Sequence, residues 1–187
     1  MRSLIFFTLV LFSLVAQAGI MELSASYGVR TSKIDADNYT RSESWSSSLA
    51  WYFWEKSALE VSYSQGRSVQ SLKAVGTSTL IYTMDSEVYG ADLVITLAGK
   101  DSFIQPFIRG GVAHLKKKIY RTDTATGAVD LFGAPVDGVV PTYGAGLNIR
   151  LTTTFSLKFS YDRIRSGVSN DSNIWDEAAK AGLSWYF

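Results

Sequence analysis

The sequence predicts an all-β fold, an eight-stranded antiparallel up-and-down transmembrane β-barrel, from three observations. Eight segments alternate large apolar residues with small or polar ones at a period of two. Their connections run long, short, long, short, long, short, long, as in a meander with every long loop at one end. The face opposite the apolar one carries Ser, Gly and Ala with one or two charges per strand. Alternation alone is also met by a lipocalin-like soluble barrel with its apolar side inward. Such a barrel would show water Lys, Glu, Gln and Thr, so the small-residue face belongs inside and the apolar face toward lipid. Closure then pairs every backbone group in hydrocarbon and leaves no sheet edge.

The strands follow in order. The first runs from about Ile20 to Arg30, with Met21, Leu23, Ala25, Tyr27 and Val29 outward. A polar loop is expected from Thr31 to Glu43. The second strand, Ser44 to Phe53, turns Trp45, Ser47, Leu49, Trp51 and Phe53 outward, and Trp54-Glu-Lys-Ser57 makes a tight turn. The third, Ala58 to Gly66, sets Leu59, Val61 and Tyr63 against Glu60, Ser62 and Ser64. Arg67 to Ser78 reads as a second polar loop. The fourth runs from Leu80 to Leu97, and Ala98-Gly-Lys-Asp101 turns the chain. In the fifth, Phe103 to Leu115, placing Arg109 inward sends Pro106, Ile108, Gly110 and Val112 outward. The longest loop is expected over Lys116 to Gly138. The sixth strand is Val140 to Leu151, the seventh begins at Phe155 after a Thr152-Thr-Thr154 turn, and Arg163 to Asn173 is the last loop. The eighth strand ends the chain, alternating Ala179, Ala181, Leu183, Trp185 and Phe187 with small or polar residues. Aromatic residues gather near strand ends (Trp45, Trp51, Phe53, Tyr63, Phe155, Tyr161), as girdles at two membrane interfaces would.

The N-terminus reads as an export segment. Met1-Arg-Ser3 is a short positive region, Leu4 to Val15 an apolar one, and Ala16-Gln-Ala18 a small-residue cleavage site. Residues 1–18 are therefore expected to leave, with cleavage between Ala18 and Gly19, and 19–187 to form one barrel domain. The 187-residue chain has no cysteine, so disulfides, thiolate metal sites and a cysteine-borne lipid anchor are excluded. A net charge of +1 leaves no basic surplus for nucleic acid.

Glu22, Arg30, Glu60, Asp92, Arg109, Arg150, Lys158, Asp162 and Lys180 all fall on the inward face. In a narrow interior an unpaired charge would cost several kcal/mol, so an ion-pair network is expected, with Glu60 and Asp92 within reach of Arg109 or Lys158. As a plug it fixes register; as a gate it would serve a small pore. His114 is the single histidine, and Lys116, not Ser, stands two residues on. No catalytic residue is assigned. Lys116-Lys-Lys118 with Arg121 could meet lipopolysaccharide phosphates. Asp35, Asp37, Asp123, Asp130 and Asp137 lack calcium-loop spacing, so neither metal nor cofactor is expected. Gly144 and Gly146 face inward and relieve crowding.

Lys180, Gly182, Trp185 and Phe187 fill the four defined places of a motif: polar, any, glycine, any, any, aromatic, any, aromatic. This resembles the C-terminal assembly signal of bacterial outer-membrane barrels. With the export segment, strand count and loop alternation, the chain resembles the small eight-stranded outer-membrane proteins of the OmpA/OmpX type, as a barrel domain alone. The resemblance implies a Gram-negative outer membrane, periplasmic termini, recognition by the barrel-assembly machinery, a monomer, and contact with membrane lipids and lipopolysaccharide. It also implies roles in membrane integrity or surface adhesion, with slow solute passage as the alternative and lipid modification as a third.

Overall fold

The computed structural model describes residues 21–33, 38–73, 79–99, 101–165 and 175–187; the expected export segment and the Ala18–Gly19 junction lie outside them. The strands are β1 (Met21–Lys33), β2 (Tyr39–Trp54), β3 (Ser57–Lys73), β4 (Thr79–Thr96), β5 (Ile104–Asp123), β6 (Val129–Leu131), β7 (Val136–Arg150), β8 (Phe155–Arg165) and β9 (Trp175–Tyr186). All pair antiparallel. β1 to β5 form a meander, β5 pairs with β7, β7 with β8, β8 with β9, and β9 returns to β1. Eight staves thus close a ring. The three-residue β6 is an extra strand laid on the end of β5, through Tyr120↔Leu131 to Thr122↔Val129.

The turns hold the short end. Trp54 pairs with Ser57 across Glu55 and Lys56, a two-residue hairpin loop. Thr152 Oγ1 accepts from the backbone N–H groups of Thr154 and Phe155 at 3.2 and 2.9 Å, so a hydroxyl replaces a backbone acceptor in the turn. At this same end Met21 and Phe187 exchange backbone hydrogen bonds of 3.1 and 3.0 Å, which ties the last residue to the first strand.

The opposite end corrects the sequence reading. Much of Thr31 to Glu43, Arg67 to Ser78 and Lys116 to Gly138, expected as loop, is strand: β1 reaches Lys33, β2 starts at Tyr39, β3 reaches Lys73, and β5 continues to Asp123. The period of two persists there with polar residues on both faces, so the apolar alternation that marks a half-buried strand is lost while the ladder is not. Cross-strand pairs support it. Arg67 and Asp85 make a two-pronged ion pair at 2.7 and 3.3 Å, and Ser42 and Ser68 hydroxyls meet at 2.8 Å. Residues 34–37, 74–78 and 166–174 of the expected loops lie outside the described residues.

The faces divide as the alternation implies. Leu23, Leu59, Val61, Leu93, Ile108, Val112 and Leu183 are exposed on the outer wall, and exposed apolar side chains grouped in this way mark a contact surface. Aromatic rings border it. Trp51, Phe53, Phe155 and Trp185 lie toward the short turns, where Phe155 stacks on Trp185 at 6.2 Å. Toward the long hairpins, Trp45 meets Tyr63 edge-on at 5.3 Å and Tyr63 meets Tyr89 at 5.0 Å, with Tyr161 also exposed on this side. β5 has the register that an inward Arg109 requires: Phe107 is 2% exposed while Ile108 and Val112 are outside.

Candidate functional site

The barrel's mid-section is closed by a chain of alternating charges. Lys158 Nζ on β8 lies 3.1 Å from Glu22 Oε1 on β1 and 2.9 Å from Glu60 Oε2 on β3. Glu60 Oε1 is 2.7 Å from Arg109 Nη1 on β5, and Arg109 Nη2 is 2.5 Å from Asp162 Oδ1 on β8. Lys180 Nζ on β9 closes the series 3.5 Å from Asp162 Oδ2 and also reaches Ser64 Oγ at 3.3 Å. The order Glu22, Lys158, Glu60, Arg109, Asp162, Lys180 alternates sign and sums to zero. Every second position of a strand points inward, so Glu22, Glu60, Arg109 and Lys180 from four strands converge on the axis with Lys158 and Asp162, four residues apart on β8.

Such a chain is tolerable in a dry interior only if its remaining lone pairs are satisfied. Glu22 accepts from Ser24, Ser184 and Tyr52 hydroxyls at 2.9, 2.8 and 2.5 Å. Asp92, also buried, accepts from the Thr142 Oγ1 hydroxyl; among the described residues the ion pairs of Arg109 and Lys158 go to Glu22, Glu60 and Asp162, not to Asp92 as expected. Beneath the cluster the Phe107 ring faces Lys158 Nζ, 5.4 Å from the ring centre, within cation–π range. The ring lies where Gly146 leaves room, since a Cβ there would stand 2.3 Å from both Phe107 Cζ and Phe159 O. A cavity of only about 20 Å³ remains among the cluster's serines, space for about one water.

Of the eight expected members whose side chains are described, two stand apart: Asp92, which Thr142 holds, and Arg150. Arg150 is a correction: it lies at the short-turn end, 3.6 Å from Asp101, and donates to Thr152 O at 3.2 Å. It occupies the last position of β7, beyond the depth at which the other charges meet. The Arg30 side chain lies outside the described residues. The tyrosine, serine and threonine donors and the Phe107 ring were not singled out in sequence. Parity from Arg109 was the signal that could have found Phe107.

Other expected groups are dispersed. His114 faces outward, 3.0 Å from Asp137. The run Lys116 to Lys118 is split by the strand's alternation: Lys117 turns inward to Asp176 at 3.1 Å, whereas Lys116 and Lys118 are exposed. Arg121 lies 3.5 Å from Asp130. Gly182 and Lys180 of the terminal motif face inward, with Lys180 inside the charge chain, while Trp185 faces outward 5.1 Å from the Phe187 ring. Among the described residues no three His, Asp or Glu side chains gather as metal ligands.

No protein-family model and no curated protein matches the sequence. Solved structures do match. The N-terminal β-barrel domain of Pseudomonas aeruginosa OprF aligns at TM-score 0.58 and 16% identity, covering 91% of this chain and 100% of that one. Neisserial surface protein A aligns at 0.60 and 14%, with 91% and 99% covered. Acinetobacter baumannii CarO2 aligns at 0.60 and 13%, with 91% and 100% covered. At these identities the likeness is one of architecture: the chain has the fold of the small eight-stranded outer-membrane β-barrels.

Proposed function

We propose that the chain is an integral outer-membrane barrel, closed at its centre by the Glu22–Lys180 charge series and serving envelope structure or surface interaction without enzymatic activity. The continuous ion chain is the observation that carries this reading. A lumen crossed by six paired charges with space for about one water lacks a continuous solute path. The apolar outer wall and its two aromatic rows support a membrane setting. In this reading residues 1–18 direct export, Ala18 and Gly19 flank the cleavage site, and the barrel is a monomer with periplasmic termini. Lipids surround it, and exposed Lys116 and Lys118 meet lipopolysaccharide phosphates.

Electrophoresis of membrane fractions tests the location: unboiled and boiled samples should migrate differently, and identical mobility with recovery in a soluble fraction would count against it. Planar-bilayer recording tests closure. No discrete conductance steps are expected, and reproducible steps from the purified barrel would establish the second reading, a narrow pore. That alternative is favoured by hollows of about 280 Å³ at the short-turn end and 660 Å³ at the other.

Lys180, Gly182, Trp185 and Phe187 are proposed as the handle for the assembly machinery. Deleting Phe187 should slow insertion in a reconstituted assembly assay far more than it lowers the melting temperature of the finished barrel. Equal insertion rates would remove that role.

A further inference from the structure

The ring is not closed over its full height. The β1–β9 ladder runs from Glu22↔Tyr186 to Tyr27↔Ala181 and ends there, although β1 continues to Lys33 against β2 and β9 begins at Trp175 against β8. Gly28–Lys33 and Trp175–Lys180 therefore share a seam that no ladder joins. Their neighbours are zipped much farther, as β3 and β4 pair from Ser57↔Ile95 to Lys73↔Thr79. Met21 and Phe187 form a hydrogen-bonded pair. Alternation from that pair directs the backbone N–H and C=O of Val29 and Thr31, and of Ala179 and Glu177, into the seam.

Behind the seam lies the 660 Å³ hollow. Its wall includes inward-facing Ser42, Ser68 and Met84, and also outward-facing Val29, Tyr161 and Ala179. Val29 and Ala179 stand on the two sides of the seam, so the hollow reaches it from both strands. Gly28 sits at its lower end, where a Cβ would come 2.5 Å from Ala179 O; above that contact the ladder is gone. Unpaired backbone is not tolerated against hydrocarbon. The breach begins level with Tyr27 and Tyr161, the aromatic row toward the long hairpins, which is interfacial depth in the proposed membrane setting.

The charges at this hollow are already matched. Glu177 accepts from Tyr161 Oη and lies 3.0 Å from Arg163 Nε. Asp176 is paired with Lys117 at 3.1 Å, Arg67 with Asp85 at 2.7 Å, and Glu43 with Arg41 at 2.5 Å. What the wall offers beyond them is serine hydroxyls, and its floor is the charge series.

We propose that the outer half of the β1–β9 seam is a side portal. Through it an amphipathic molecule of the outer leaflet places a neutral, hydroxyl-bearing head group in the serine-lined hollow, with its apolar chain lying over the smooth wall at Ala179 and Ala181. The described charges of the lining, Glu43, Arg67, Asp176 and Glu177, are each paired within the protein, which suits a neutral head. The portal rests on the outer-membrane reading given above.

Two measurements on the barrel reconstituted in phosphatidylcholine nanodiscs test it. Hydrogen exchange by NMR should show a period of two: the amides of Val29, Thr31, Glu177 and Ala179 unprotected, those of Arg30, Ser32, Ala178 and Lys180 protected by β2 and β8. A diazirine-bearing alkyl glucoside should label peptides spanning Gly28–Val29 and Trp175–Ala181. Labelling should be lost in Ala179→Trp and Ser68→Trp and retained in Ala25→Trp, on the zipped part of the same wall. Uniform protection along both strands, or labelling spread around the barrel and indifferent to these substitutions, overturns the portal alone. Failure of the chain to insert into any bilayer overturns the membrane reading and the portal with it.

Discussion

Lys158→Met is expected to destabilise the folded barrel by about 3–5 kcal/mol, because it strips two buried carboxylates of their shared cation. Glu22 and Glu60 are each about 1% exposed, and Lys158 lies 3.1 and 2.9 Å from them. Without it, Glu60 keeps Arg109, but Glu22 retains only hydroxyl donors. Urea unfolding of the protein in phosphatidylcholine vesicles would measure the loss. Adding Glu22→Gln and Glu60→Gln to Lys158→Met should restore most of it, since breaking a buried pair costs more than replacing the whole set. Arg109 would still have Asp162 at 2.5 Å. A single variant as stable as wild type would mean that water already compensates these charges, and the closed-lumen reading would fall with it.

Phe107→Ala carries the second large effect, about 3–5 kcal/mol by the usual cost of emptying an aromatic site in a packed interior. The ring is 2% exposed and belongs to the buried cluster with Ala50, Ala58 and Val94. Its space is bounded by Gly146, which contributes no atoms to fill the gap. The hole would open beneath Lys158, between the charge series and the 280 Å³ hollow at the short turns. The same variant should therefore raise ion leakage across vesicles relative to wild type. A stability change below about 1 kcal/mol would show that the site collapses around the loss, as cores sometimes do.

The architecture was legible because a half-buried strand announces itself through a period of two, and seven of the eight staves carried that signal without ambiguity. The fifth needed one extra constraint. Keeping Arg109 out of lipid settled its parity, and Phe107 followed inward with it. The inward charges were legible for the same reason, and Glu22, Glu60, Arg109, Lys158, Asp162 and Lys180 do converge. What sequence did not carry was depth. Arg150 has the right parity but sits at the end of its strand, so it meets Asp101 at a turn instead of a partner on the axis. The long hairpins were read as loops because polar residues on both faces erase the contrast that marks a strand, while cross-strand pairs such as Arg67–Asp85 keep the ladder.

The sequence alone therefore determined strand number, order and facing, since these depend on local alternation and turn chemistry. It also supplied the set of charges sent inward. Only the tertiary structure decided which charges meet, that Asp92 is held by a threonine, and that the basic run 116–118 is split across the wall. It alone revealed that β1 and β9 part company above Tyr27. These outcomes depend on stagger between strands far apart in the chain. Alternation within a strand excludes odd slips, which would reverse every side chain, but leaves the even-numbered stagger between distant strands to their pairing.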